Sequence, residues 1–215
     1  MQLILESLPF VTKGLAITLL VSVLVVAISL VIGVVLGVSL TYGPLPVRLM
    51  VRAYSDFIRG IPVLILIFAV YYGLPALKVN LSNLTAAVAA LTMFTTAQVI
   101  ETTRGAIQSI HHGQMEAGKA IGLGFGQRLL HVVLPLALRR FLPPWINSVT
   151  DAVKGSALVS LVGVVDLMLA IQQVIGRVYE PMPLYLLGAA IYFAINYSLS
   201  SLSRRLEQRF AYVRE

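Results

Sequence analysis

Between Lys13 and Arg48 the chain passes through 34 residues, Gly14 to Val47, without one charged side chain. A bilayer hydrocarbon core about 30 Å thick is crossed by about 20 mostly apolar residues in a helix, so this run alone is long enough to span it. Three more uncharged runs follow: Gly60 to Leu77, Val79 to Ile100 and Pro181 to Ser203. A fifth apolar stretch, about Leu138 to Leu161, begins with Arg139 and Arg140 and carries Asp151 and Lys154 further in. Charged residues make up 12% of the chain, against roughly 25% in a soluble domain. The pattern predicts an all-α integral membrane protein of about five transmembrane helices, near residues 14–42, 58–75, 84–107, 138–161 and 184–203. Little of the 215 residues is left over, so one transmembrane domain over 1–215 is expected. The first run far exceeds the apolar core of a removable signal peptide, about 7–15 residues, and Lys13 lies too deep for one. It is read as a span.

Charge placement gives an orientation. If the N-terminus is outside and the C-terminus cytoplasmic, the cytoplasmic loops hold Arg48, Arg52, Arg59, Arg104, Lys119, Arg128, Arg139, Arg140, Arg204, Arg205, Arg209 and Arg214. Only Lys13, Lys78, Lys154 and Arg177 fall elsewhere. Positive residues concentrate on the cytoplasmic side of membrane proteins, and this bias accounts for the net charge of +7. A nucleic-acid surface would interleave aromatic residues with the basic ones; here none are interleaved. With no cysteine in the chain, thiolate metal sites, disulfides and cysteine nucleophiles are excluded together.

The interruption at 111–135, between the third and fourth apolar stretches, carries the most specific signal. Glu116-Ala117-Gly118 is followed after three residues by Gly122, and after nine more by Val132-Val133-Leu134-Pro135. Gly122, Gly124 and Gly126 are expected to break it into two short helices. The glycine run is no phosphate loop, because it lacks a Gly-Lys-Ser/Thr ending and no strand precedes it. A membrane protein has little reason to keep such a hairpin in water unless something docks onto it. Adjacent His111 and His112 point apart on a helix, and without a third ligand they make no metal site.

That spacing resembles the loop by which membrane subunits of ABC importers engage their ATPase, the EAA motif, with Gly118 in place of an Ala and Val132 in place of an Ile. Three other segments resemble the polar amino-acid uptake family of ABC permeases. They are Phe57-x-Arg59-Gly60-x-Pro62 with Tyr72-Gly73-Leu74-Pro75, Arg104-Gly105-Ala106-Ile107-Gln108-Ser109-Ile110 with Gly113-Gln114, and Lys154-x-Ser156 with Gly163-Val164-x-Asp166-Leu167. The resemblance covers residues 10 to 205 in family order. It implies the transmembrane domain of a type I ABC importer in the bacterial inner membrane. The implied partners are a second permease subunit, identical or paralogous, two cytoplasmic ATPases, and a periplasmic or extracellular amino-acid-binding protein. ATP and Mg2+ would be used by the ATPases, and this chain would bind no cofactor and carry no catalytic site. Gln114, Glu116, Ala117, Gly118, Gly122, Leu134 and Pro135 are the residues expected to couple it to the ATPase, with Ala117 and Gly118 keeping the contact face small.

Polar residues inside spans are costly and mark a pathway or a paired site. Asn147, Asp151, Lys154 and Gly155 recur at helical spacing on one face. Either that face, with Ser156, lines the substrate path, or Asp151 and Lys154 neutralise one another to hold the bundle together; both readings stand. Glu101 and Arg104 suit an interfacial ion pair better than substrate contact. Thr95, Thr96 and Gln98 lie deeper as lining candidates, although a Thr in a span often bonds only its own backbone. Many relatives in the resembled family carry Glu at Ser148 and an acidic residue or Asn at Gly155. Their loss leans toward an acidic or neutral amino acid, while Asp151 partly restores the charge, so a basic amino-acid importer is the alternative. A secondary transporter or channel would show inverted repeats or a filter sequence, and an intramembrane enzyme would show a metal or protease motif; neither is visible.

Overall fold

The structure is a computed structural model that describes the backbone of residues 2–210 and side chains from 7 to 208. Arg214 therefore lies outside the described residues, and of Arg209 only the backbone is described. All elements are helical: α1 (Gln2–Tyr42), α2 (Leu45–Arg59), α3 (Val63–Ala76), α4 (Asn83–Gln108), α5 (His112–Ala120), α6 (Phe125–Arg128), α7 (Leu134–Gly155), α8 (Leu167–Val178) and α9 (Pro181–Phe210). A π turn (Leu129–Val133) joins α6 to α7, and a 3-10 turn (Ser156–Val162) follows α7. Among the described residues four helices are long and apolar enough to cross a membrane, and the bent pair α2–α3 makes a fifth span if counted as one.

At 41 residues α1 is the longest element and extends about 60 Å at 1.5 Å per residue. Several of its hydroxyls are satisfied within the helix. Ser22 donates to the Thr18 carbonyl, Ser29 to Val26, Ser39 to Val35 and Thr41 to Gly37. A bilayer offers them no water, so this local bonding is what lets them sit in a span. α1 packs chiefly along α4, brought close by two glycines. A Cβ on Gly33 would lie 2.6 Å from Val99 Cβ, and one on Gly37 2.5 Å from Thr103 Cβ. Small residues at such spacing let helix backbones approach in lipid.

The second span departs from a simple helix at 58–75. α2 ends at Arg59 and α3 begins at Val63, with an angle of 103° between them. Pro62 is the cause: it has no N–H to continue the ladder and it bars Ile61 from helical backbone. α4 opens on Ser82, whose hydroxyl accepts from the Thr85 N–H at 3.1 Å, a normal N-cap.

The 111–135 interruption also differs from two short helices. Gly126 does not end a helix; Phe125 begins a helical rod continuous to Val162, 38 residues long. Pro135 sits at the start of α7, where its missing N–H disrupts the i→i−4 ladder, and the π turn just before it accommodates the slip. Pro143 and Pro144 lie inside α7. Beyond Gly163 (φ +79), Asp166 caps a twelve-residue helix in what the sequence presents as a connection, its Oδ1 accepting from the Leu169 N–H at 2.9 Å. Leu167, Ala170, Ile171 and Val174 are buried, so α8 folds as an amphipathic helix against Val11 and Leu184.

Candidate coupling and translocation site

The hairpin around α5 is built from local hydrogen bonds. His111 caps it, with Nδ1 accepting from the Gly113 N–H at 3.1 Å. At the other end the Leu123 N–H donates to the Gly118 carbonyl at 3.0 Å and the Gly122 N–H to the Lys119 carbonyl at 3.0 Å. These two bonds make a Schellman cap, which needs a left-handed residue at its turn; Gly122 supplies it with φ +83. Glu116 pairs with His112 at 3.2 Å, and both are exposed. Gln114 and Ala117 are exposed too.

Gly118 has a different reason to be small from the one its sequence suggests. It is the buried residue of α5, and a Cβ there would lie 3.0 Å from Arg128 Cγ. It lets α5 lie flat on the rod rather than trimming the outer face. Beside the cap that ends α5 stand Ile121, 77% exposed, and Phe125. Neither was singled out from sequence, although a large apolar residue beside a capping glycine in a polar loop is the available signal. Leu134 and Pro135 are exposed on the rod, away from the α5 tip.

A second polar cluster ties α2 to α4. The Glu101 carboxylate accepts from Arg104 Nη2 at 2.6 Å and Nε at 3.0 Å, and from the Ser55 hydroxyl at 3.4 Å. Arg59, at the α2–α3 break, approaches it to 4.0 Å. Arg104 also donates to Gln108 Oε1 at 2.8 Å. One half-buried carboxylate thus serves two cations from two helices. Removing its charge and acceptors together leaves Arg104 uncompensated, so Glu101→Ala is expected to cost about 1–3 kcal/mol. Arg59→Ala, which removes one long, exposed contact, should cost under about 1 kcal/mol. Thermal unfolding of the purified protein checks this: equal losses from the two variants would contradict the geometry.

On α7, Asn147, Asp151 and Lys154 are exposed along one face, with Lys154 Nζ 2.9 Å from Asp151 Oδ1. Ser156 is not on it; it is buried and donates to the Val153 carbonyl at 2.8 Å. Thr95 and Thr96 are also buried within the chain, Thr96 with its carbonyl beneath Gly33. Gln98 is half-buried. The candidate lining residues therefore fall into separate settings, and the α7 face presents three exposed polar side chains together.

Sequence reasoning placed Asp166 in an external loop and passed over Thr18. The two pin the start of α8 to α1: the Leu167 N–H donates to Thr18 Oγ1 at 3.0 Å, and a Cβ on Gly14 would lie 2.7 Å from the Asp166 carbonyl. Burial holds the Asp166 carboxyl above the ordinary carboxylate range, against the backbone N–H bonds that lower it. The signal for it was an Asp directly before a Leu-rich run, the pattern of an N-cap. Among the described residues no three His, Asp or Glu side chains are grouped to hold a metal ion.

A bundle of four to five spans that offers a glycine-capped, partly apolar helical hairpin outside its core is the architecture of a membrane transport subunit that receives a partner. The chain belongs to the family of binding-protein-dependent transport system inner membrane components, which it matches over residues 29–212. The probable glutamine ABC transporter permease protein GlnP of Bacillus subtilis is 35% identical over 95% of each chain. The glutamine transport system permease protein GlnP of Escherichia coli K12 is 35% identical over 94% of each. The crystal structure of an amino acid ABC transporter with histidines matches with a TM-score of 0.89 and 30% identity over 96% of both chains. The inward-facing MetNI methionine transporter, at TM-score 0.74 and 22% identity, shares the fold. The fold is that of a type I ABC importer transmembrane domain, an inner-membrane component whose task is transport; ATP hydrolysis falls to a separate subunit.

Proposed function

We propose that α5 and the turn at Gly122 form the coupling element through which two ATPases drive this subunit, and that the Asn147–Asp151–Lys154 face of α7 lines the path. The chain is the permease of an amino-acid ABC importer, working by alternating access. A second permease subunit completes the pathway, an external binding protein delivers the amino acid, and the C-terminus lies in the cytoplasm with the basic loops. Gln114, Glu116 and Ala117 present the docking face, Gly118 and Gly122 shape it, and Leu134-Pro135 lies within the rod that continues from it into the membrane.

The observation that carries the pathway reading is the exposure of the Asp151–Lys154 pair, 55% and 58%. An exposed pair contributes about 0–1 kcal/mol, too little to be kept for bundle stability. Charges turned to lipid are costly, so that face is turned to a water-filled path or the partner subunit. Lys154→Met and Asp151→Asn should leave the assembly and its thermal stability nearly unchanged while cutting uptake roughly tenfold. A matching loss of assembled transporter would return the pair to a structural role.

Within amino acids the reading is an acidic or neutral polar cargo, supported by Ser148 and Gly155 and by the glutamine permeases among the relatives. A basic cargo is favoured by one observation, the exposed Asp151 carboxylate. ATPase activity of the reconstituted transporter decides: stimulation by its binding protein with glutamine or glutamate supports the first, and stimulation with arginine alone overturns it.

A further inference from the structure

The nine-residue α5 packs mainly on the segment that follows it rather than on the spans. Between it and the adjoining ends of α1 and α4 lies a cavity of about 590 Å3, within the usual range of ligand sites, about 300–1,000 Å3. Its inner wall is apolar, from Ile107, Met115 and Val133, and its rim carries Lys119 and Arg128. Neither cation has a carboxylate partner among the described residues. The one acid in the lining, Glu116, is already held by His112. Gln108 has its Oε1 taken by Arg104, which leaves its amide N–H groups as what it can offer. Arg128 Nε is buried without a hydrogen-bond acceptor. The site therefore has donors and positive charge in excess, over an apolar floor. At its edge the Tyr42 and Phe125 rings meet edge-on, 5.4 Å between centroids. Tyrosine is enriched where helices meet the membrane–water interface.

We propose that this cavity binds a phosphate group, supplied by an anionic phospholipid of the inner leaflet or by soluble phosphate, and that the occupant braces α5 against α1 and α4. The lipid source suits the apolar floor, since basic pockets between helix ends on the cytoplasmic side take acidic headgroups. The proposal rests on the orientation given above but not on α5 docking the ATPase, and the experiment separates the two.

The assembled transporter is purified from membranes containing phosphatidylglycerol and phosphatidylcholine, and retained lipid and retained ATPase are both measured by native mass spectrometry. Wild type is expected to enrich phosphatidylglycerol, and Lys119→Gln and Arg128→Gln each to lower that enrichment about fivefold. Arg128→Lys, which keeps the charge, should retain it, and Arg48→Gln on α2, which does not line the cavity, should not change it. In a phosphatidylcholine-only bilayer, inorganic phosphate is added and thermal stability followed. Stabilisation of wild type but not of Arg128→Gln, without phosphatidylglycerol enrichment in the first arm, identifies soluble phosphate as the source and upholds the site. No response in either arm overturns the proposal, as does a loss of lipid in Arg48→Gln equal to that in Arg128→Gln. Loss of ATPase with lipid enrichment intact counts against the coupling reading and leaves the cavity assignment standing.

Discussion

Gly122→Val is expected to release the ATPase from a permease that still folds into the membrane. Gly122 has φ +83 and nothing within 4 Å of where a Cβ would stand, so the penalty is one of backbone conformation and not of space. Left-handed backbone costs an L-residue roughly 1–2 kcal/mol, more when it is β-branched. α5 is only nine residues long, well below the length at which an isolated helix holds itself together, about 12–15 residues. Its cap therefore makes a large share of its stability, and its loss frees the two N–H groups that close onto Gly118 and Lys119. Co-purified ATPase should fall at least about tenfold, the equivalent of about 1.4 kcal/mol, with the yield of membrane-inserted permease unchanged. Asn, which tolerates this backbone better, should retain most of the ATPase. If Val retains as much as Asn, α5 is not held by this cap and the coupling argument loses its structural basis.

Gly37→Leu should have the largest effect on folding itself. The Cβ added there meets Thr103 Cβ at 2.5 Å and the Ile100 carbonyl oxygen at 2.9 Å. Neither a backbone oxygen nor a Cβ can swing aside, so α1 and α4 must separate along the contact that organises the bundle. Overpacking a tight core costs about 1–3 kcal/mol and occasionally more, and a whole side chain at this depth lies at the upper end. The expected result is loss of monodisperse protein in detergent, with Gly37→Ala already lowering thermal stability. Gly176→Ala in α8 is the control, because nothing lies within 4 Å of its Cβ. Ala favours a helix over Gly by about 1 kcal/mol, so that variant should be as stable as wild type or more so. A Gly37→Ala protein as stable as the Gly176→Ala protein would contradict the close approach of α1 and α4.

These two glycines mark where sequence reading sufficed and where it did not. Gly122 was legible because a cap leaves its signature in a few consecutive residues, and the interruption between apolar runs showed where to look. Gly37 was legible only as a small residue in a span, since what it touches comes from α4, more than 60 positions away. The same limit hid the purpose of Gly118, which depends on Arg128 across the hairpin. It also hid Ser55 as a partner for Glu101, a contact over 46 positions. Of the polar span residues, Asp151 and Lys154 were legible as neighbours because three residues separate them on one helix. Thr95 and Thr96 shared a segment with Gln98, but which sides of α4 are covered depends on where α1, α2 and α3 settle.

By itself the sequence determined the membrane setting, the all-helical class and the glycine-capped turn at Gly122. Lipid compels long uncharged runs, and a glycine cap needs only its neighbours. Only the tertiary structure decided the sharp turn between α2 and α3, the helix hidden between Gly163 and Pro181, and which polar side chains remain exposed on the chain. Each of these depends on packing between helices distant in sequence, where van der Waals contact and hydrogen-bond geometry choose among arrangements that local pattern leaves equally open.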